Sequence, residues 1–155
     1  MLYFSYGLNM DPDGMAGRCP RSRFIGLATL PDHRFQVTCQ GVATVVSAPG
    51  HRVPGVLWRI AVADLPKLDG FEGVTMGIYG KRFVHVRLDG RYCRALIYVA
   101  RVSRPGFSGP GYMDAVVRAA EAAGLPQGHI ATLKARAGDS IGRPQERPYF
   151  LTEDY

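Results

Sequence analysis

The sequence is poor in the features that mark specialised classes of protein. Its 155 residues include only three cysteines, and their odd number and wide spacing fit neither a disulfide framework nor a zinc knuckle. No apolar run approaches the roughly 20 residues that a membrane-spanning helix needs, and the N-terminus does not look like a secretory signal. We therefore expect a cytoplasmic protein with no membrane partner.

Runs of like charge are also absent, although the net charge is +6. The 19 lysines and arginines are scattered along the chain, and no zinc-finger, recognition-helix or RNA-binding motif accompanies them. This pattern favours a solvated basic surface and predicts no nucleic-acid partner. A small anionic substrate is also compatible with the positive charge.

The usual signatures of metal, cofactor and nucleophile sites are missing as well. His33, His51, His85 and His129 lie far apart and show no metal-ligand spacing. There is no phosphate-binding glycine loop, and no cysteine has a histidine near it in sequence. The sequence therefore predicts neither a metal nor a cofactor.

Glycine and proline, in contrast, are abundant, with 19 and 11 residues, and they divide the chain into short segments. Alternation and turn signals predict strands over 2–6, 23–30, 34–38, 43–47, 53–60, 82–89 and 92–101, the last two joined by an Asp-Gly turn. Helical spacing predicts a short helix over 63–71 and two helices after residue 112. This order favours an α+β fold, with a small closed or strongly curved β-sheet and flanking helices, over 1–141. Residues 142–155 are expected to form an extended tail.

Glu72 differs from most of the other carboxylates, many of which occupy turns or helix ends. It follows Phe71 and precedes Gly73, where the short predicted helix ends. A carboxyl group partly buried at such a position has a raised pKa and can act as both acid and base. A surface glutamate at a helix end is the alternative, and spacing alone favours that alternative.

The segment 3–9 is the other candidate for a site. A glycine and an asparagine directly after an aromatic strand can point successive backbone N–H groups at an anion. The alternative is an ordinary turn behind a core strand.

Five segments together resemble the γ-glutamylcyclotransferase family, which includes AIG2-like proteins. Residues 3–10 resemble its Y-F-x-Y-G-S-N-[LM] opening, and residues 68–74 its L-D-x-x-E-G-V segment. Residues 77–79 look like the G-x-Y that follows, and residues 53–58 like the V-x-G-V-[VL]-W strand. Residues 109–112 are similar to a proline- and tyrosine-containing segment before a helix. The resemblance runs in order from Tyr3 to about Gly138.

The resemblance implies a barrel-like mixed sheet and a cofactor-free release of 5-oxoproline from a γ-glutamyl group. The α-amine of the substrate attacks its own γ-carbonyl, so one carboxylate can carry the protons. By this resemblance Glu72 is the catalyst, and the substrate-binding residues are Tyr3, Ser5, Tyr6, Gly7, Leu8, Asn9, Tyr79 and Tyr112. The expected partner is a small anionic γ-glutamyl substrate, and the expected state a monomer or homodimer.

Leu8 departs from the family pattern, because the family has serine there. If that serine acts only through its backbone N–H, the change costs little. If its hydroxyl contacts substrate, activity or specificity differs. Two other functions stay open: a related enzyme that acts on another γ-glutamyl amide, and a non-catalytic binding or accessory module with the same fold.

Overall fold

The computed structural model describes residues 1–139, so the predicted tail over 142–155 lies outside the described residues. Five strands close into a barrel in the order β1-β3-β2-β4-β5. They are β1 Leu2–Ser5, β2 Arg23–Val37, β3 Ala43–Arg59, β4 Tyr79–Leu88 and β5 Arg91–Ala100. The β1–β5 pair is parallel and the other pairs are antiparallel. The predicted α+β fold with a closed mixed sheet is confirmed.

Four α-helices flank the barrel: α1 Pro12–Arg18, α2 Leu65–Phe71, α3 Tyr112–Ala123 and α4 Gln127–Asp139. Helix α1 begins at Pro12 and ends one residue beyond the segment 9–17, for which the aspartates, glycines and Pro12 predict a loop or a short helical turn. Its first turn is capped by the Asp11 carboxylate, which accepts a hydrogen bond from the Gly14 N–H at 2.9 Å. Short 3-10 turns at Leu8–Met10 and Val62–Asp64 precede α1 and α2.

The predicted strand ends at Pro31-Asp32 and Pro49-Gly50 are wrong, because both strands continue through these residues as β2 and β3. Pro31 still pairs with Arg52, and the register shifts before His33, so the two turn-like sequences form a bulge within one long hairpin. Asp32 has a φ of 56°, and its carboxylate accepts the Gly50 N–H at 2.9 Å. The polar side chain thus stabilises a bulge rather than a chain reversal.

The Asp-Gly hairpin is confirmed, with Leu88 paired to Arg91 across Asp89 and Gly90. Both turn residues have positive φ, as a two-residue hairpin turn requires. The core fills the barrel and the space under α3 and α4. Its largest fully buried side chains include Phe4, Met10, Leu57, Ile97, Met113 and Leu133. The turn after β1 packs against α3 and α1.

Candidate active site

A cavity of about 230 Å³ lies where the turn after β1, the end of α2 and the starts of β3, β4 and α3 meet. Its wall contains five tyrosines and one carboxylate. The lining residues are Tyr3, Tyr6, Gly7, Leu8, Asn9, Val42, Ala43, Gly70, Phe71, Glu72, Gly73, Met76, Ile78, Tyr79, Tyr98 and Tyr112. All the predicted site residues except Ser5 therefore line one cavity.

Glu72 enters this cavity because of how α2 ends. The helix is anchored by the fully buried Leu68, whose carbonyl oxygen accepts the Glu72 N–H at 3.0 Å. Gly73 follows with a φ of 61°, and a Cβ atom there would lie 2.6 Å from the Ile78 side chain. Only glycine fits this left-handed position, so the Glu-Gly pair both ends the helix and turns the glutamate toward the tyrosines.

The Glu72 carboxyl group is partly buried and receives a hydrogen bond from a neutral amide. Asn9 Nδ2 donates to Glu72 Oε1 at 2.7 Å and to the Tyr3 hydroxyl at 3.1 Å. Burial raises the pKa of Glu72 to about 7, although the Arg18 charge and the Asn9 hydrogen bond oppose that rise, while Asp69 adds to it. A carboxyl group with this pKa can both accept and donate a proton at neutral pH.

The turn after β1 offers backbone donors beside Glu72. Gly7 precedes the 3-10 turn Leu8–Met10, and no acceptor within residues 1–139 receives the N–H groups of Gly7, Leu8 or Asn9. Unpaired N–H groups at the start of a helical turn suit an anion. The Leu8 side chain is partly buried and packs against the core, and leucine at this position keeps the backbone N–H group that a serine would have.

Trp58 fixes this turn from behind. Its indole Nε1–H lies 3.0 Å from both the Ser5 hydroxyl and the Asn9 carbonyl oxygen. Ser5 is buried and also donates to the Val56 carbonyl oxygen at 3.4 Å, which explains why it does not reach the cavity. A Cβ atom at Gly55 would clash with the Ser5 carbonyl oxygen, so glycine allows β1 and β3 to approach closely.

Two tyrosines on the opposite wall bind the backbone of the same residue, Ala43. Tyr79 donates its hydroxyl to the Ala43 carbonyl oxygen at 2.5 Å, and the Ala43 N–H donates to the Tyr112 hydroxyl at 2.9 Å. Burial raises the pKa of Tyr79, and that of Tyr112 to about 12, so both phenols stay protonated at neutral pH. The two tyrosines named from the resemblance thus fix the start of β3 at the cavity.

Two side chains that reach the site, Tyr98 and Arg18, gave no local signal in the sequence, and Asp69 lies in the segment 68–74 of the resemblance without being named there as a site residue. Tyr98 lies near the C-terminal end of β5, and its hydroxyl donates to Asp69 Oδ1 at 2.6 Å. Asp69 also accepts from Lys81 Nζ at 2.6 Å. Arg18, at the end of α1, donates to Asn9 Oδ1 at 3.1 Å. Alternation could place Tyr98 on a strand, but only closure of the barrel brings it to the cavity.

Within residues 1–139, no group of three or more histidine, cysteine, aspartate or glutamate side chains is arranged to hold a metal ion. None of the described helices is long and apolar enough to cross a membrane.

Comparison with known proteins gives consistent results. The sequence model of the AIG2-like family matches residues 52–133. Mouse γ-glutamylcyclotransferase is 31% identical over 149 residues, which cover 86% of this chain and 77% of the mouse protein. The human γ-glutamylcyclotransferase is 31% identical over 159 residues, covering 94% of this chain and 84% of the human protein.

The fold comparison agrees. A solved structure of a γ-glutamyl cyclotransferase matches with a TM-score of 0.82 at 27% identity, over 99% of this chain and 94% of that chain. Four of the five segments that carry the sequence resemblance line the cavity described above, together with Val42, Ala43, Met76 and Tyr98. The chain therefore belongs to the γ-glutamylcyclotransferase family.

Proposed function

We propose that this chain releases 5-oxoproline from a γ-glutamyl peptide or amide, with Glu72 as the single acid/base catalyst. The observation that carries the proposal is one carboxyl group, with a pKa of about 7, facing a tyrosine-lined cavity. The relatives named γ-glutamylcyclotransferase support the reaction class.

The proposed reaction balances without a metal or cofactor because the nucleophile belongs to the substrate. Ionised Glu72 takes one proton from the α-ammonium, and the freed amine forms a bond to the γ-carbonyl carbon. Glu72 then gives this proton to the nitrogen of the leaving amine, and accepts the second proton from the new ring nitrogen. The bond between the γ-carbonyl carbon and the leaving nitrogen breaks, and the carbonyl re-forms in 5-oxoproline. Glu72 passes the second proton to the departing amine, which leaves as an ammonium, and is thereby returned to its ionised form.

The proposed anchor for the substrate is the turn after β1. The unpaired N–H groups of Gly7, Leu8 and Asn9 are suited to hold the α-carboxylate. Hydrogen bonds to a charged group contribute about 1.5–3 kcal/mol each. Two or three of them suffice to fix the glutamyl end with its ammonium near Glu72.

The proposed role of the tyrosines is to enclose the cyclising chain. Tyr3, Tyr6, Tyr79 and Tyr112 line the cavity, and burial raises the pKa of each phenol. Their rings exclude water, and their hydroxyls stay protonated, those of Tyr6 and Tyr79 donating to the carbonyl oxygens of Tyr98 and Ala43. Ser5 contributes by holding Trp58 rather than by contacting substrate.

A matched panel of γ-glutamyl and α-glutamyl dipeptides, assayed for 5-oxoproline release, tests the proposal. We expect release only from γ-linked substrates, because only in these does attack of the α-amine on the scissile carbonyl close a five-membered ring. Comparable release from α-linked peptides, or none from any γ-linked peptide or amine, would contradict it. Exhaustive chelation serves as a control and should leave the rate unchanged.

A further inference from the structure

Arg18 contacts both neighbours of the Glu72 carboxyl group without contacting that group itself. Its Nη1 donates to Asn9 Oδ1 at 3.1 Å, and its guanidinium carbon lies 3.7 Å from the centroid of the Phe71 ring. Asn9 donates to Glu72, and Phe71 precedes Glu72 at the end of α2. A side chain on α1 therefore fixes the cavity end of α2.

The orientation of the Asn9 amide depends on this contact. Because the guanidinium only donates hydrogen bonds, it holds the amide oxygen on its own side and turns the amide NH₂ toward Glu72 and Tyr3. A flipped amide would present its oxygen to a carboxylate and its NH₂ to the guanidinium, and it would lose the hydrogen bonds to Glu72 and from Arg18, whereas the Tyr3 hydroxyl could still donate to it. We propose that Arg18 is a positioning residue for Glu72, acting through the Asn9 amide, in the reaction proposed above.

The charges around Glu72 decide the sign of the effect. Arg18 lowers the pKa of Glu72 and Asp69 raises it, while burial accounts for the largest upward change. The remaining titratable groups at the cavity are phenols, whose raised pKa values keep them neutral: Tyr3, Tyr6, Tyr79, Tyr98 and Tyr112. Without Arg18, burial and the Asp69 charge, which both disfavour ionised Glu72, lose the charge that mainly opposes them. The pKa of Glu72 therefore rises.

Gly14 provides the space that Arg18 occupies. A Cβ atom at Gly14 would lie 2.5 Å from Arg18 Nη1, whereas a Cβ atom at Gly17 would have no neighbour within 4 Å. Both glycines lie in α1, where alanine is favoured over glycine by about 1 kcal/mol. Gly14 is thus a matched probe: alanine there displaces the guanidinium from Asn9 but leaves Arg18 in the protein.

The experiment compares wild type with Arg18→Met, Gly14→Ala and Gly17→Ala. Methionine keeps an apolar stem against Phe71 but removes the donor and the charge. For each protein, kcat and kcat/KM for 5-oxoproline release are measured from pH 5 to 9. The carboxyl ¹³C signal of Glu72 is titrated separately in glutamate-labelled protein, because this readout does not depend on turnover.

In Arg18→Met we expect two midpoints to rise together by about half a pH unit or more: that of the acid limb of the kcat/KM profile and that of the Glu72 carboxyl titration. The plateau of kcat should fall about tenfold, as expected for losing a hydrogen bond to a charged group, with little change in KM. Gly14→Ala should raise the same midpoints and lower kcat, each by less than Arg18→Met does. Gly17→Ala should match wild type.

An unchanged Glu72 titration in both Arg18→Met and Gly14→Ala would overturn the proposal. So would a raised KM with unchanged kcat, since Arg18 would then bind substrate directly. If wild type itself released no 5-oxoproline, the proposed function would fail, but the titration would still decide whether Arg18 sets the state of Glu72. If Arg18→Met does not fold, the Glu72 titration and kcat of Gly14→Ala are compared with those of Gly17→Ala, and this comparison tests the same role of Arg18.

Discussion

The two ends of α2 carry two carboxylates in opposite environments. Asp64 precedes the helix and is buried, and its Oδ1 lies 2.7 Å from Nη2 of the mostly exposed Arg21. Its pKa is lowered, first of all by this hydrogen bond. Glu72 follows the helix, receives a hydrogen bond from a neutral amide, and has a pKa raised to about 7. One short helix thus presents a carboxylate held in the ionised form and one poised between its two forms.

This difference shows what separates a structural acid from a candidate catalyst on the same element. A direct cation partner and the N-terminal end of a helix both favour the charged form of Asp64. At the other end, the helix dipole and burial disfavour the charge of Glu72, and Arg18 opposes them by its charge while its hydrogen bond goes to Asn9. The two carboxylates therefore differ both in the end of α2 that they occupy and in the partner that they contact.

The largest expected effect is on the rate of Glu72→Gln. Glutamine keeps the shape and can still accept the Asn9 hydrogen bond, but it cannot carry a proton. We expect kcat for 5-oxoproline release to fall by about a hundredfold or more, as for the loss of a sole acid/base. Affinity for a non-reactive γ-glutamyl analogue, measured by calorimetry, should remain within a few fold. Kinetics like wild type would show that Glu72 is not the catalyst.

The same substitution should stabilise the protein at high pH. Because the folded-state pKa of Glu72 lies above its ordinary value of 4.5, its ionisation costs stability as the pH rises through about 7. Glu72→Gln should therefore raise the free energy of unfolding at pH 8 by up to about 3 kcal/mol, with the gain disappearing near pH 4.5. Urea unfolding at both pH values measures this, and a pH-independent difference would argue against a raised pKa.

Asp64→Asn should have the opposite signature. The depressed pKa means that ionised Asp64 stabilises the fold above its ordinary pKa of 3.8, and that this contribution is lost as the pH falls below it. We expect a lower melting temperature at pH 7, a difference from wild type that shrinks below pH 4, and an unchanged kcat. A large loss of kcat in a folded Asp64→Asn protein would break the comparison between the two ends of α2.

The smallest effect is expected from Leu8→Ser, which restores the family residue. If this position acts through its N–H group, kcat/KM should change by less than about threefold, since the backbone donor is kept. Loss of a partly buried leucine should lower the free energy of unfolding by about 1 kcal/mol. A gain in kcat/KM of tenfold or more would mean that the hydroxyl contacts substrate and that Leu8 limits this chain.

The parts of the site that were predictable from sequence are those encoded in short segments. The turn at Tyr6–Asn9 and the Glu72-Gly73 pair depend on local conformations that particular residues require, such as the left-handed Gly73. The Asp-Gly hairpin was predictable for the same reason.

The contributions of Arg18 and Tyr98 were not predictable, because each reaches the site only through tertiary packing. Arg18 depends on the space at Gly14, and Tyr98 on the closure of β5 against β1 and α2. The long β2–β3 hairpin was mispredicted as shorter strands because Pro31-Asp32 and Pro49-Gly50 have the composition of turns. Opposite each other in a ladder, the same residues form a bulge.

The most direct test of the central claim is a carboxyl ¹³C titration of wild-type protein labelled at aspartate and glutamate. The Glu72 signal is assigned by its loss in Glu72→Gln, and the Asp64 signal by its loss in Asp64→Asn. We predict that Glu72 titrates with a midpoint near 7 and Asp64 below its ordinary 3.8, within the same molecule. A Glu72 midpoint near 4.5 would contradict the account, because the carboxyl group would then be too weak a base for the proposed reaction.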